Sequence, residues 1–431
     1  MEIKKIKKYF LLLKPNFILL LIFLLYMIEI SLTTSLLIEE QVKINDESLL
    51  LSNIRIGTNN QTFDLLLDTG SYITWVPKNG STDQYKIKNH YFPSKSITSS
   101  STEIPFIQKF STGNSSGYFY IDNVKYISNS NFKLKFGVAE KTSFKSSGAD
   151  GIIGLAHSYE DESYSFIHTL KENKIIDSEM FSFKFTEDIL IGNTAKFILG
   201  KHNDFSSTKT VTCPLIKYSG IQNKFWACEM SSFALKFYDY QKEIKGKHDI
   251  IFDTGSDVII LPKSFFDHYS LPEYSGCSIF INRDKTYRYS CPYEDRFDFL
   301  LTINGNTFFL SKDLFFKKEI IYDYDYPTST TYYSKIVFFE DKCILGMPFF
   351  SVFHTLFDKD NEKIHFYSEK DGYIQKYKEI KENKEPIDYI KIMEIVILII
   401  IFVAIIICIC VKVRKARREQ KKGLFNNLLK K

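Results

Sequence analysis

Two aspartates carry the chemistry this sequence can offer. Leu66-Leu67-Asp68-Thr69-Gly70-Ser71 recurs as Ile251-Phe252-Asp253-Thr254-Gly255-Ser256, 185 residues later. In each copy an apolar strand runs into an Asp, so the following loop can hold the carboxylate at a cleft. The glycine two places on tolerates close approaches that a Cβ would block. The Thr and Ser hydroxyls can lock such a turn or bond across an interface. Two carboxylates brought face to face cannot both ionise readily, so they share a proton. One can then take a proton from water while the other donates to a carbonyl oxygen, which is general acid–base hydrolysis. A single Asp-Thr-Gly is ordinary turn sequence; duplication with matching flanks is what gives it weight.

The flanks do match. Each copy leads to an apolar stretch that ends in proline, Trp75-Val76-Pro77 and Ile260-Leu261-Pro262. An apolar pair and a glycine follow each: Ile152-Ile153-Gly154 lies 86 residues beyond Asp68, and Ile344-Leu345-Gly346 lies 93 beyond Asp253. This internal repeat predicts two homologous halves, each supplying one Asp to a site at their junction. Between about residues 48 and 372, short apolar or alternating segments are broken by Gly, Asn, Ser and Asp clusters. Leu49–Ile56, Phe63–Leu67, Phe181–Phe185, Phe197–Leu199, Ile250–Phe252 and Leu300–Ile303 read as strands. With 39 Phe and 27 Tyr in the chain, the pattern predicts an all-β architecture.

These motifs resemble the pepsin-like aspartic proteases over most of residues 48–372. Ser52–Gly57 and Phe63–Pro77 are similar to the family's opening strands and first active-site loop. Ala149–Ala156 resembles the turn of its first lobe, His248–Pro262 its second active-site loop, and Cys343–Phe366 its closing segment. The resemblance implies a bilobal β-rich fold with the cleft between the lobes. It makes Asp68 and Asp253 the catalytic pair, with Thr69 and Thr254 bracing the lobes beneath. Gly70 and Gly255 support the loops, and Ser71 and Ser256 are outer hydrogen-bond partners. It also implies a hairpin flap at Phe110-Ser111-Thr112-Gly113, with Phe110, Thr112, Gly113 and Trp75 at the substrate. The family usually has Tyr where this chain has Phe110. That residue keeps the apolar wall but leaves the Trp75 indole N–H without the expected hydroxyl. A polypeptide bound in extended form, with apolar side chains flanking the cut, is the implied substrate. No cofactor or metal is implied, and one chain supplies both aspartates, so a monomer suffices.

Charge and hydropathy bear on location. The net charge of +5 divides into +8 on residues 412–431, +3 on residues 1–31 and −6 on the remainder. An acidic globular part argues against nucleic-acid binding. Residues 1–35 read as a signal peptide, with five lysines ahead of the apolar run Phe17–Ile28. The 17 uncharged residues Ile395–Val411, followed by the basic cluster, read as a transmembrane helix (393–411) with a cytosolic tail (412–431). The expected order is therefore an N-terminal lobe at 36–190, a C-terminal lobe at 191–372, a stalk at 373–392, the helix and the tail. That is a single-pass type I membrane protein with its catalytic part luminal or extracellular. After a cut near Ser35 only about a dozen residues precede the first predicted strand, too few for the inhibitory prosegment common in the family. Five cysteines lie outside the helix, and a secretory setting favours pairing. Cys277–Cys291 and Cys213–Cys228 are the candidate bridges, with one cysteine left over.

Rival readings are weaker. Gly113-Asn114-Ser115-Ser116-Gly117 matches the serine-hydrolase elbow Gly-x-Ser-x-Gly, but the residues after it are strand-forming where a helix is required. The eight histidines and the cysteines show no metal-binding spacing. The main alternative from another class is a pepsin-fold protein that binds peptides without cutting them. Asn60, Asn79 and Asn114 begin glycosylation sequons. The one at Asn114, on the flap, is expected to stay unmodified.

Overall fold

The computed structural model describes residues 37–376 except 46–47, 111–112, 127–129, 146–147, 158–161, 187–193, 202–209, 218–224, 239, 268–275, 283–284, 324–325, 340–341 and 370. The expected signal peptide, transmembrane helix and tail, most of the stalk, and Thr112 lie outside the described residues. Residues 1–237 and 243–378 form one compact unit, and 238–242 group with 379–431 in a second. Among the described residues no helix is long and apolar enough to cross a membrane.

The chain is built from strands. The first half lays down β1 (Ile38–Asn45), β2 (Ser48–Ile56), β3 (Gln61–Asp68), β4 (Trp75–Asp83), β5 (Ser100–Phe110) and β6 (Gly113–Lys125). It continues with β7 (Phe132–Thr142), β8 (Gly151–Gly154), β9 (Met180–Thr186), β10 (Thr194–Leu199) and β11 (Val211–Pro214). The second half supplies β12 (Ala227–Phe237), β13 (Tyr240–Phe252), β14 (Ile259–Leu261), β15 (Ser278–Ile281), β16 (Tyr287–Cys291) and β17 (Asp298–Ile303). Then come β18 (Asn306–Leu310), β19 (Phe316–Asp323), β20 (Tyr326–Phe338), β21 (Cys343–Leu345), β22 (His354–Asp358), β23 (Lys363–Tyr367) and β24 (Ile374–Lys376). One sheet of 13 strands runs β11-β23-β22-β9-β10-β1-β2-β3-β8-β4-β7-β6-β5. A second, of 11, runs β15-β16-β20-β14-β21-β13-β12-β17-β18-β24, with β19 on β20.

Burial follows the sequence pattern. In β7 the lysines of Phe132-Lys133-Leu134-Lys135-Phe136 turn outward and the apolar side chains inward, the period-two signature of a sheet with one buried face. β8 and β22 are buried at every position, β8 as a continuous small and apolar strand and β22 with His354, Thr355 and Asp358 buried beside Leu356 and Phe357. The repeat appears as matched pairings. β8 lies parallel to β3, setting Leu66 beside Ile152 and Leu67 beside Ile153. β21 lies parallel to β13, setting Ile251 beside Ile344 and Phe252 beside Leu345.

Both halves of the chain share the first sheet. β9 pairs with β22, and Phe181 stacks on Phe357 with ring centres 4.8 Å apart. β11 and β23 extend the same sheet, so the two halves are joined by a continuous ladder as well as by side chains.

The structure corrects two expectations. The first strand is β1, not Leu49–Ile56: residues 38–45 pair with β10 and β2. Its only apolar positions are Ile38, Val42 and Ile44, so charges masked the strand. Residues 374–376, expected at the head of a solvated stalk, form β24 and pair with β18. Both candidate disulfides are present, Cys213–Cys228 and Cys277–Cys291, and the fifth cysteine, Cys343, is buried and free.

Candidate active site

Asp68 ends β3, and Asp253 follows directly on β13. The parallel partners β8 and β21 push the chain ends of both strands to the same place. Leu155 donates its N–H to the Asp68 carbonyl at 2.9 Å, and Asp253 donates to the Leu345 carbonyl at 3.0 Å. The two loops then meet. A Cβ built on Gly70 would lie 2.6 Å from the Asp253 Cγ, Oδ1 and Oδ2. One on Gly255 would lie 2.6 Å from the Asp68 Cγ and Oδ1. Each carboxylate thus covers the glycine of the opposite loop, an approach that only a residue without a side chain allows. Gly154 and Gly346, which close the two apolar-pair motifs, pack as tightly. Their Cβ positions fall 2.7 Å from the Ile73 nitrogen and 2.2 Å from the Val258 carbonyl oxygen.

Beneath the carboxylates, the two threonines exchange hydrogen bonds. The N–H of Thr69 donates to Thr254 Oγ1 at 3.1 Å, and that of Thr254 to Thr69 Oγ1 at 2.9 Å. Each hydroxyl donates onward, Thr69 to the Phe252 carbonyl at 2.8 Å and Thr254 to the Leu67 carbonyl at 2.7 Å. All donors and acceptors of this lattice are buried, so it is satisfied and rigid.

The surroundings of the two carboxylates differ. Each accepts its own loop's glycine N–H at 2.8 Å, Gly70 on Asp68 and Gly255 on Asp253. Asp68 also accepts the Ser71 hydroxyl at 2.5 Å. Ser256 instead donates to the Val258 carbonyl at 3.0 Å and leaves Asp253 alone. Asp68 is 5 % exposed, whereas Asp253 keeps more of its surface toward solvent. Burial raises Asp68 above the usual carboxylate range, tempered by the donors on it. Burial, and then the Asp68 charge beside it, push Asp253 well above that range. The pair therefore shares a proton, and charge is the costlier to hold on Asp253.

β5 and β6 form a hairpin, with Phe110 paired to Gly113 at its end. Phe110 packs on Trp75, ring centres 6.2 Å apart, and on Phe144 at 5.0 Å. Trp75 is fully buried, and its Nε1–H has no hydrogen-bond partner among the described residues. Phe110 and Trp75 thus lie in one apolar cluster, with the indole donor unanswered. The Gly113–Gly117 segment lies inside β6, and Ser115 is buried against Thr142 at 2.7 Å, so it forms no elbow. Cys213, Cys228, Cys277 and Cys291 sit in bridges, not around the aspartates.

Sequence reasoning missed two contributors. Trp226 donates its Nε1–H to the Leu155 carbonyl at 2.7 Å, and its carbonyl accepts the Phe252 N–H at 2.9 Å. It ties the strand before Asp253 to the loop after β8. Phe144 completes the wall behind Phe110. Both were single aromatics in an aromatic-rich chain, without a motif around them. The internal repeat offered no second copy to flag either one.

A mostly β fold of two repeated halves, with one buried and one half-buried carboxylate meeting at their junction, defines a hydrolase of the paired-aspartate type. Residues 50–368 match the family model described as eukaryotic aspartyl protease. The chain belongs to that family and is a pepsin-like aspartic endopeptidase. It is 24% identical over 332 residues to Aspartic protease 6 of Caenorhabditis elegans, covering 73% of this chain and 80% of that protein. It is 25% identical over 325 residues to Vacuolar protease A of Arthroderma otae, covering 71% and 75%. Against Pepsin II-2/3 of Oryctolagus cuniculus the identity is 25% over 319 residues, covering 72% and 78%.

Proposed function

We propose that Asp68 and Asp253 are the catalytic dyad and that they act in unequal roles. The observation that carries this is the reciprocal seating of each carboxylate on the opposite loop's glycine. Ionised Asp68, held by Ser71 and Gly70, takes a proton from water as the water oxygen bonds to the scissile carbonyl carbon. Protonated Asp253 gives its proton to the carbonyl oxygen, forming a gem-diol. On collapse, one diol hydroxyl returns a proton to Asp253 as the C–N bond breaks. Asp68 passes its own proton to the leaving amine. Proton sharing of this kind is the general behaviour of aspartic-protease dyads.

The substrate is a polypeptide bound in extended form beneath the β5–β6 hairpin, with apolar side chains at Trp75, Phe110 and Phe144. The catalytic unit works as a monomer, tethered by the 393–411 helix on the luminal or extracellular side of a membrane of the secretory or endolysosomal system. The apolar run and the basic residues after it support the tether. Relatives named Vacuolar protease A and Acid extracellular protease support the compartment. The unanswered Trp75 N–H favours a second reading, a pepsin-fold protein that holds peptides and cuts them weakly or not at all.

The test is cleavage of a mixed peptide library from about pH 3 to 7.5. Cleavage that is blocked by a statine-type transition-state mimic and lost in Asp68→Ala and Asp253→Ala establishes the dyad. A folded protein that binds the mimic but cuts nothing at any pH establishes the second reading.

A further inference from the structure

We propose that the hairpin β15–β16 is a membrane-contact surface, resting on a bilayer with anionic headgroups; this builds on the tethered reading above. β15 is the outer strand of the second sheet, and all four of its residues are exposed. Three of them in a row are apolar: Ile279 is 54% exposed, Phe280 40% and Ile281 58%. An ordinary edge strand alternates, so that one face is polar, and it carries charge to deter pairing. Here Ile279 and Ile281 continue the face of buried Tyr289, while Phe280 stands on the opposite face, opposite Arg288. Apolar side chains therefore leave this edge on both sides.

The outer face adds cations and aromatic rings. Arg288 lies 5.1 Å over Phe280 and 4.3 Å over Tyr333, and Phe280 meets Tyr333 at 5.2 Å. On β19, Lys317 sits opposite Tyr333 of β20 on this face, and Lys318 sits opposite Tyr332 on the other face. Among the described side chains of β16, β19 and the turn between β15 and β16, the cations Lys285, Arg288, Lys317 and Lys318 outnumber the one acidic residue, Glu319. Ile and Phe with interleaved Tyr, Arg and Lys are what a lipid headgroup region accepts. Rings sit at its boundary and cations meet phosphate. The Cys277–Cys291 bridge closes the base of this hairpin, so it meets the surface already ordered.

Chain length permits the contact. Sixteen residues, 377–392, separate the last described residue from the apolar helix, and an extended chain of that length reaches about 55 Å at most. Among the described residues Ile104 and Ile107 of β5 are also exposed, at 45% and 63%, whereas Ile97, at 93%, stands alone among polar neighbours. It serves as the internal control.

The experiment uses the full chain reconstituted into phosphatidylcholine–phosphatidylserine vesicles with brominated acyl chains. The native tryptophans, Trp75 and Trp226, are 0% and 1% exposed, so a Trp placed at the surface reports its own contact. Phe280→Trp should lose emission about twofold relative to unbrominated vesicles, Ile97→Trp should not, and both should cleave peptide as the parent does. Protein that survives an alkaline wash with position 280 unquenched, or with position 97 quenched equally, overturns the surface and leaves the tether standing. Protein stripped by the wash but quenched at 280 beforehand upholds the surface and overturns the tether. Loss of both overturns both. If Phe280→Asp converts a dimer to a monomer while position 280 of Phe280→Trp stays unquenched, the face is an interface between copies and the proposal falls.

Discussion

Gly70→Ala is the sharpest perturbation of the site, because its cost follows from one contact. The new methyl would lie 2.6 Å from three atoms of the Asp253 carboxyl, where ordinary contact begins near 3.4 Å. The carboxyl must move by about 1 Å, since the loop beneath is fixed by the threonine lattice. Displacements of about 1 Å in catalytic geometry cost on the order of 100-fold in rate. The loss should appear in kcat, with KM little changed, because the clash is at the reacting groups and not in the side-chain pockets. Steady-state cleavage of a single peptide, with thermal melting to confirm folding, reads it. A folded Gly70→Ala enzyme with kcat within about threefold of the parent would refute the reasoning that the glycines set the carboxylate spacing.

Gly255→Ala makes the mirror test, its methyl falling 2.6 Å from Asp68 Cγ and Oδ1. It should lose a similar factor. The double substitution displaces both carboxylates, so it should cost more than either single one.

Phe110→Tyr supplies a hydroxyl beside the unpartnered Trp75 Nε1–H, whose ring centre is 6.2 Å away. One hydrogen bond of about 1 kcal/mol should raise kcat/KM about fivefold, and Trp75→Phe in the same chain should abolish the gain; unchanged turnover would show that the indole donor does not matter to the flap. Asp253→Asn should remove cleavage yet raise the melting temperature near pH 7. A carboxyl whose pKa folding raises binds its proton more tightly in the native state, so native stability falls as pH climbs past the unfolded value toward the folded one. Asn cannot ionise and escapes that loss; parent and variant should melt alike well below pH 4.

The sequence made the centre of the site legible and left its frame obscure. Asp68, Thr69 and Gly70 announced themselves because the repeat supplied a second copy, and Gly154 and Gly346 because they closed equivalent apolar pairs. Gly70, Gly154 and Gly346 are each constrained by a close approach that a Cβ would block, which ties those positions to one residue type. Trp226 answers to a weaker demand, a large ring with one donor, and nothing near it repeats. β1 was hidden for another reason. Its residues alternate poorly, and its place comes from ladder bonds to β10 and β2, which are indifferent to side chains. The equivalence of the halves also failed in one detail that matters to chemistry. Ser71 and Ser256 occupy matching places in the motif, yet only Ser71 reaches its aspartate.

That difference links the fold to the polarity of the reaction. With equal surroundings, two carboxylates in contact would share a proton evenly and neither would have a fixed role. The Ser71 hydroxyl lowers the cost of charge on Asp68, while Asp253, lacking such a donor, is left with burial and its neighbour's charge to raise it. Two carboxylates elsewhere in the chain titrate in the opposite sense. Burial alone would raise Glu179 and Asp358, but His168 and Lys359 on the first, and His365 and Asn361 on the second, hold both below the usual carboxylate range. Those two stabilise the fold above the ordinary carboxylate pKa and release that stability as pH falls. The dyad withdraws stability as pH rises. The closing segment that carries Asp358, Lys359 and His365 also pairs with β9, which follows Glu179. Acid thus removes a stabilising contribution beside the sheet shared by both halves, and rising pH removes one at the two aspartates.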